Sequence, residues 1–289
     1  MSKAESVICD LLEPAGIKIN GSNPWDIQVH QPAFYDRLLR DSTLGLGESY
    51  VEGWWDCQAI DQFITRAMLA RLEEKFMSES YFIMQALKSR LFNRQSRTRA
   101  FEVGIRHYDL GNDLYTAMLD KRLAYTCGYW KTATNLDDAQ EAKLDLVCRK
   151  IGARPGMRIL ELGCGWGSFA KYAAEKYGVE VLGVTVSKEQ VALGMELCRG
   201  LPVELRLQDY REVSGTYDAV VSIGVMEHVG YKNYRTYMKV VDRCLKPDGV
   251  AFVHTIGSNI TRTHGEPWTD KYIFPTVVLP SISGLGKAM

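Results

Sequence analysis

Apolar positions fall into two regimes along the chain. From residue 1 to about 100 they recur at helical spacing, as in Ile60, Phe63, Ile64 and Met68, which predicts a mainly helical region. Gly45, Gly47 and Gly53 in LGLGESYVEGWWD are expected to break that region, with Trp54 and Trp55 as core anchors. From Asn135 the pattern changes to a regular exchange of helix and strand. Asn135 is the expected N-cap of NLDDAQEAKLDLVCRKIG, with acids in its first turn and an apolar stripe of Leu144, Val147, Cys148 and Ile151. ARPG closes this helix and MRILEL follows as a short strand. A helix from about Ser168 to Tyr177 is stopped by Gly178. VEVLGVTV is the next strand, KEQVALGMELCRG a helix, and VELRL and YDAVVSI two further strands. A helix from about Asn233 to Leu245 ends in KPDG, before the strand VAFVHTI. Short apolar strands separated by helices imply an α/β domain with a doubly wound parallel sheet.

Composition adds exclusions. With 46% hydrophobic and 24% charged residues in a 289-residue chain, one full domain and a smaller one are expected. The 35 basic and 35 acidic residues cancel, so no global field points to nucleic acid. Seven scattered cysteines without a C-x-x-C pair argue against a disulfide framework or a zinc site and for a reducing compartment. MSKAESVICDLLEPAG has no long apolar run and does not read as a secretory signal. No segment approaches the ~20 apolar residues of a membrane span, so a cytoplasmic protein that touches a membrane only from outside is expected. Lys88, Arg90, Arg94, Arg97 and Arg99 accumulate in an acid-free stretch. Two readings fit it: a solvated helix face with a linker, or a patch for anionic phospholipid.

Candidate chemistry centres on ILELGCGWG, a strand running into Gly163, Gly165 and Gly167. Glycines there let the backbone turn sharply and approach a ligand at the carboxyl end of a strand. Ser168 stands where a dinucleotide fingerprint would have its third glycine, so NAD is the poorer fit. With Glu161 ahead of it, the pattern resembles motif I of the class I S-adenosylmethionine (SAM) methyltransferases. The next strand ends at Thr185 where such enzymes place a ribose-binding acid, and Gln190 can reach back as an amide ligand. Gln208 and Asp209 in LQDY occupy the usual place for adenine contacts.

The chain as a whole resembles the cyclopropane-fatty-acyl-phospholipid synthases and the mycolic acid cyclopropane synthases. The resemblance runs through LGLGESYVEGWWD, RHYDLGNDLY, YTCGYW, LELGCGWG, VTVSKEQ, LQDYR, GVMEHVG, FVHTIGS and KYIFP. It implies a class I SAM-dependent methyltransferase domain over 101–289, preceded by a helical domain over 1–100 for lipid contact or dimerisation. It also implies cyclopropanation of cis double bonds in phospholipid acyl chains, at the inner face of the membrane. Methylation without ring closure is the rival within enzymes.

The same resemblance implies a bound bicarbonate or carbonate ion as proton acceptor, held by Cys127, Glu227, His254 and the backbone of Ile256. Tyr108, Tyr125 and Thr126 would contact SAM, and Tyr125, Tyr129 and Trp130 would flank the developing cation. Each anion residue also has a simpler reading: Cys127 as a buried filler, Glu227 as a helix-start acid, His254 as a satisfied core histidine. His107 and Asp109 are read as fixing a turn. Family members continue past KYIFPTVVLPS with a further tyrosine ligand and the last strands of the sheet. Here SISGLGKAM follows, so the methyltransferase domain is expected to lack those strands. An inactive remnant that binds SAM or lipid is the rival from another class.

Overall fold

The computed structural model describes residues 1–72, 93, 95, 96 and 111–289. Tyr108, His107, Asp109 and the basic positions Lys88, Arg90, Arg94, Arg97 and Arg99 lie outside the described residues. The chain divides into two units, one of Met1–Phe92 with Glu266–Ile273, the other of Asn93–Gly265 with Phe274–Met289.

In the first unit, helix α1 (Lys3–Leu12) starts at a capping box in which Ser2 and Glu5 satisfy each other's backbone N–H groups. Helix α2 (Ala33–Val51) and helix α3 (Ile60–Leu69) flank a small antiparallel pair, β1 (Gln28–Val29) and β2 (Trp55–Asp56). Ile8, Leu12, Phe34, Leu38, Trp55 and Phe63 form its core. Gly45 and Gly47 do not break the helix as expected: both lie inside α2, whose non-helical residue is Ser42 (φ 54°, ψ −133°). Their role is close approach, since a Cβ on Gly47 would lie 2.4 Å from the Trp268 ring and one on Gly45 2.5 Å from the Arg37 carbonyl oxygen. Gly53 does turn the chain, at φ 73°.

The first described helix of the second unit is α4 (Asn112–Met118), followed by α5 (Leu136–Lys150). The Asn135 side chain accepts from the Asp138 N–H, as its position predicts. A five-stranded parallel sheet then builds up from β3 (Arg158–Leu162), β4 (Glu180–Thr185), β5 (Val203–Leu207), β6 (Tyr217–Ile223) and β7 (Leu245–His254). Its order is β5-β4-β3-β6-β7, so the winding reverses on either side of β3. Helices α6 (Ser168–Tyr177), α7 (Lys188–Leu197) and α9 (Tyr234–Cys244) connect the strands, with a single turn, α8 (Met226–Val229), after β6.

Alternate residues of β3 supply opposite cores, which is why this strand reads as one apolar run. Ile159 packs with Leu144, Cys148, Phe169 and Val221, while Leu160 and Leu162 pack with Val184, Tyr237 and Val241. Each such side chain fully removed from water contributes roughly 1.5–3 kcal/mol. β7 starts earlier than predicted. It takes in the KPDG segment expected to be a turn, and the register with β6 shifts between Tyr217 and Ala219 to absorb it. Helix α10 (Ile282–Gly286) follows the sheet. No helix among the described residues is long and apolar enough to cross a membrane.

Candidate active site

A cleft opens at the carboxyl ends of β3, β4 and β6, where the strand order reverses. The turn after β3 is made by left-handed glycines, Gly163 at φ 76° and Gly165 at φ 54°. A Cβ on Gly163 would strike Val225 at 2.3 Å, whereas one on Gly165 would meet nothing within 4 Å. The first glycine therefore lets β3 and the segment after β6 approach, and the second leaves open space for a ligand. Gly163, Gly165 and Glu161 line the cleft; Gly167 does not. Gly167 instead caps α6 at φ 82°, facing Leu205 and Cys198.

Thr185, Gln190, Gln208 and Asp209 line the same cleft, as do Tyr125 and Thr126. The Thr185 hydroxyl donates to Gln190 Oε1 at 2.6 Å, so the two polar groups at the end of β4 are preset against one another. Asp209 is buried and held by Arg211, whose backbone N–H and Nη1 donate to its two carboxylate oxygens at 2.9 and 2.8 Å. Arg211 also lines the cleft.

Glu161 is 3% exposed, and burial pushes its carboxyl up to about 8, against the attraction of Lys143 and a hydrogen bond from the Ala170 backbone. Its Oε2 has no hydrogen-bond partner among the described residues. Lys143 itself is held below the ordinary lysine range by burial, with Glu161, Asp120 and Cys127 pulling the other way.

The predicted anion residues meet in two pairs, Cys127 with His254 and Glu227 with the Ile256 amide, each from distant parts of the chain. Cys127 Sγ stands 3.5 Å from His254 Nε2. β6–β7 pairing sets His254 beside Ile223, and the His254 carbonyl accepts from Gly224, a cleft residue, at 2.9 Å. Glu227, in α8, accepts the Ile256 backbone N–H on Oε1 at 2.6 Å, and its Oε2 is buried without a partner among the described residues. The Ile256 amide is thus directed at Glu227. His254 is kept below the usual histidine range by burial and by Lys143, with Glu227 opposing. These donors and acceptors fit a singly protonated oxyanion: a thiol and an imidazole can donate, and the open Glu227 oxygen can accept.

Two expected aromatic walls fail to appear. Tyr129 and Trp130 are exposed and outside the cleft, because the Tyr129 N–H is tied back to the Ala139 carbonyl at 2.8 Å. Tyr125 remains, packed edge-on to Tyr115 at 5.6 Å. His228, given no role from sequence, lines the cleft and meets Phe274 edge-on. Sequence reasoning also passed over Gln140 and Lys143, which are buried. Their signal was present: Gln140 precedes Leu144 by four residues, and Lys143 precedes Val147 by four, which places both on the inner stripe of α5.

The chain is similar to known proteins along most of its length. The family described as mycolic acid cyclopropane synthetase matches residues 95–289. The chain is 50% identical over 279 residues to the cyclopropane-fatty-acyl-phospholipid synthase of Escherichia coli (strain K12), a match covering 96% of this chain and 73% of that protein. It is 33% identical over 297 residues to a probable fatty acid methyltransferase of Pseudomonas putida, covering 96% and 74% respectively. Among solved structures, mycolic acid cyclopropane synthase CmaA1 complexed with SAH and CTAB superposes with a TM-score of 0.59 at 33% identity, over 65% of this chain and 72% of that one. The chain belongs to the mycolic acid cyclopropane synthetase family of SAM-dependent methyltransferases.

Proposed function

We propose that this chain carries out SAM-dependent cyclopropanation of cis double bonds in phospholipid acyl chains. The reading is supported by the pairing of Cys127 with His254 and of Glu227 with the Ile256 amide, and by a separate cleft lined by Gly163, Gly165, Thr185 and Gln190. The 50% identity to a cyclopropane-fatty-acyl-phospholipid synthase supports the same substrate class.

SAM, bound in the cleft, supplies an electrophilic sulfonium methyl group. The alkene is a poor nucleophile, so the protein's contribution is chiefly alignment of the two reactants and exclusion of water from the cation. The π electrons form the new C–C bond as the C–S bond breaks. One methyl C–H bond then gives up its proton, and that electron pair closes the ring. Gln190 and Thr185 orient the ribose, while Gln208 and Asp209 face the base. Tyr125 and Thr126 cover the methionine end, with Tyr108 from the resemblance as a further contact. Bicarbonate, held by Cys127, His254 and Glu227, is the group that would accept the proton there.

Residues 1–100 are assigned to lipid contact or dimerisation, and 101–289 to the transfer. The exposed apolar face of α3, formed by Ile60, Ile64, Met68 and Leu69, supports peripheral contact with a bilayer. Calorimetric titration with SAM, followed by incubation with SAM and vesicles of cis-unsaturated phospholipid, tests the reading. SAM binding with ring-containing acyl chains is the expected result. Binding without product defeats it, and so does product carrying a methyl group without a ring. That second chemistry shares every step up to the cation, and the Pseudomonas putida relative, a probable fatty acid methyltransferase, is the observation favouring it.

A further inference from the structure

Helix α5 grips the segment between Ala124 and Tyr129 with three neighbouring residues. Gln140 Nε2 donates to the carbonyls of Ala124 at 3.1 Å and Thr126 at 2.6 Å. Lys143 Nζ donates to Thr126 Oγ1 at 2.9 Å. Ala139 accepts the Tyr129 N–H and packs so tightly on Gly128 that a Cβ there would lie 2.8 Å from its own. The gripped segment carries Tyr125 and Thr126 into the cleft and Cys127 to His254.

The clamp is costly. Gln140 is 3% and Lys143 7% exposed, and no carboxylate forms an ion pair with Lys143 among the described residues. An apolar residue of similar volume would spare the desolvation of an ammonium group and pack equally well. What an apolar residue cannot do is fix the rotamer of a hydroxyl. The Thr126 hydroxyl is fixed in this way, between the residue that covers the cofactor and the one that faces His254.

We propose that Lys143 is a positioning residue for the methyl-transfer reaction: its ammonium, seconded by Gln140, holds Thr126 so that the 124–129 segment stays closed over the cleft with Cys127 facing His254. The proposal rests on the function proposed above and adds a residue to it.

The test uses the full chain with Lys143→Met, Thr126→Val and the double variant. Lys143→Met keeps the length of the stem and removes the donor. The expected loss is about 100-fold in kcat for either single variant, the size of effect a misplacement of about 1 Å produces, with the KM for SAM nearly unchanged in Lys143→Met. The double variant should be no worse than about twofold below either single, because both remove one interaction. Wild-type kcat in Lys143→Met, additive losses in the double variant, or loss of SAM affinity in place of kcat in Lys143→Met would each overturn the proposal. Hydrogen exchange over residues 123–130 reads the clamp independently of turnover: it should speed up about tenfold or more in both single variants. If the wild-type chain makes no ring product, the proposed function fails, and this exchange measurement still decides the clamp. Unchanged protection in Lys143→Met refutes it. Should Lys143→Met not fold, Thr126→Val with unchanged protection refutes it equally.

Discussion

The thiol of Cys127 lies 3.5 Å from Nε2 of His254, across 127 residues of sequence. One partner is delivered by the clamp from α5, the other by the last strand of the sheet. Neither group can serve as a nucleophile in alkene methylation, where the attacking electrons come from the double bond. In the proposed function their joint use is to hold an oxyanion by donation. Cys127→Ser should therefore leave SAM affinity within about twofold while lowering turnover by about 10-fold or more, since one positioned donor to a developing charge is commonly worth that much. Dependence of the rate on added bicarbonate should weaken in parallel. Calorimetry and a turnover assay at several bicarbonate concentrations check this; lost SAM binding or lost folding would remove Cys127 from the anion site.

Glu227 gives a sharper version of the same test. Its Oε1 takes the Ile256 N–H at 2.6 Å and its Oε2 has no partner among the described residues. Glu227→Gln retains an acceptor for Ile256 yet turns the charge-bearing carboxylate into a neutral amide. Turnover should fall by about 100-fold with thermal stability nearly unchanged, as for other preorganised electrostatic groups. A variant that loses stability in proportion to activity would mark Glu227 as a helix-start acid only.

The charge state of Glu161 sets a pH dependence of stability. Burial raises its folded-state value from 4.5 to about 8. The folded protein therefore holds a proton that the unfolded chain releases, so this contribution is fully present below about 4.5 and is lost as pH rises through about 8. The urea midpoint of the ligand-free protein should fall between pH 5 and pH 8, and Glu161→Gln should flatten that fall. His254 works oppositely: its value is lowered by burial, so its contribution is present above 6.5 and lost as pH drops below it. An unaltered alkaline slope in Glu161→Gln would contradict the assignment.

Two glycines of one turn should fail in different ways. Gly163→Ala drives a methyl group into Val225 at 2.3 Å and must shift the segment after β6. Gly165→Ala meets no protein atom within 4 Å and costs only its left-handed backbone, about 1–2 kcal/mol. The prediction is a folding defect for Gly163→Ala, seen in the thermal midpoint. Gly165→Ala should fold and lose SAM affinity, seen by calorimetry. Equal SAM affinity in Gly165→Ala and wild type would place the cofactor elsewhere.

Local signals explain what could be read before the fold was known. Asn135 and Gly178 mark helix ends through the conformation of one residue each, and the β3 run reveals burial on both faces through composition alone. The glycine turn after β3 falls where the pattern places it. Other features depend on neighbours that periodicity does not name. Gly45 and Gly47 look like breakers until Trp268 and the Arg37 carbonyl are seen against them. Lys143 looks like a solvated lysine until Thr126 meets it, and Tyr129 looks like a cleft wall until its backbone is found tied to Ala139. Motif order brought Cys127, Glu227 and His254 into one hypothesis, whereas their separations depend on sheet register and the α5 clamp.

The most direct measurement is the fate of the methyl hydrogens. Incubation with SAM carrying a fully deuterated methyl group and cis-unsaturated phospholipid vesicles should yield acyl chains that retain two deuterons in the added carbon, lack olefinic protons and show ring-proton resonances. Loss of one deuteron with closure of a ring is what proton removal from the new methyl group requires. Retention of all three deuterons, as a branched or hydroxylated chain, would contradict cyclopropanation by this protein.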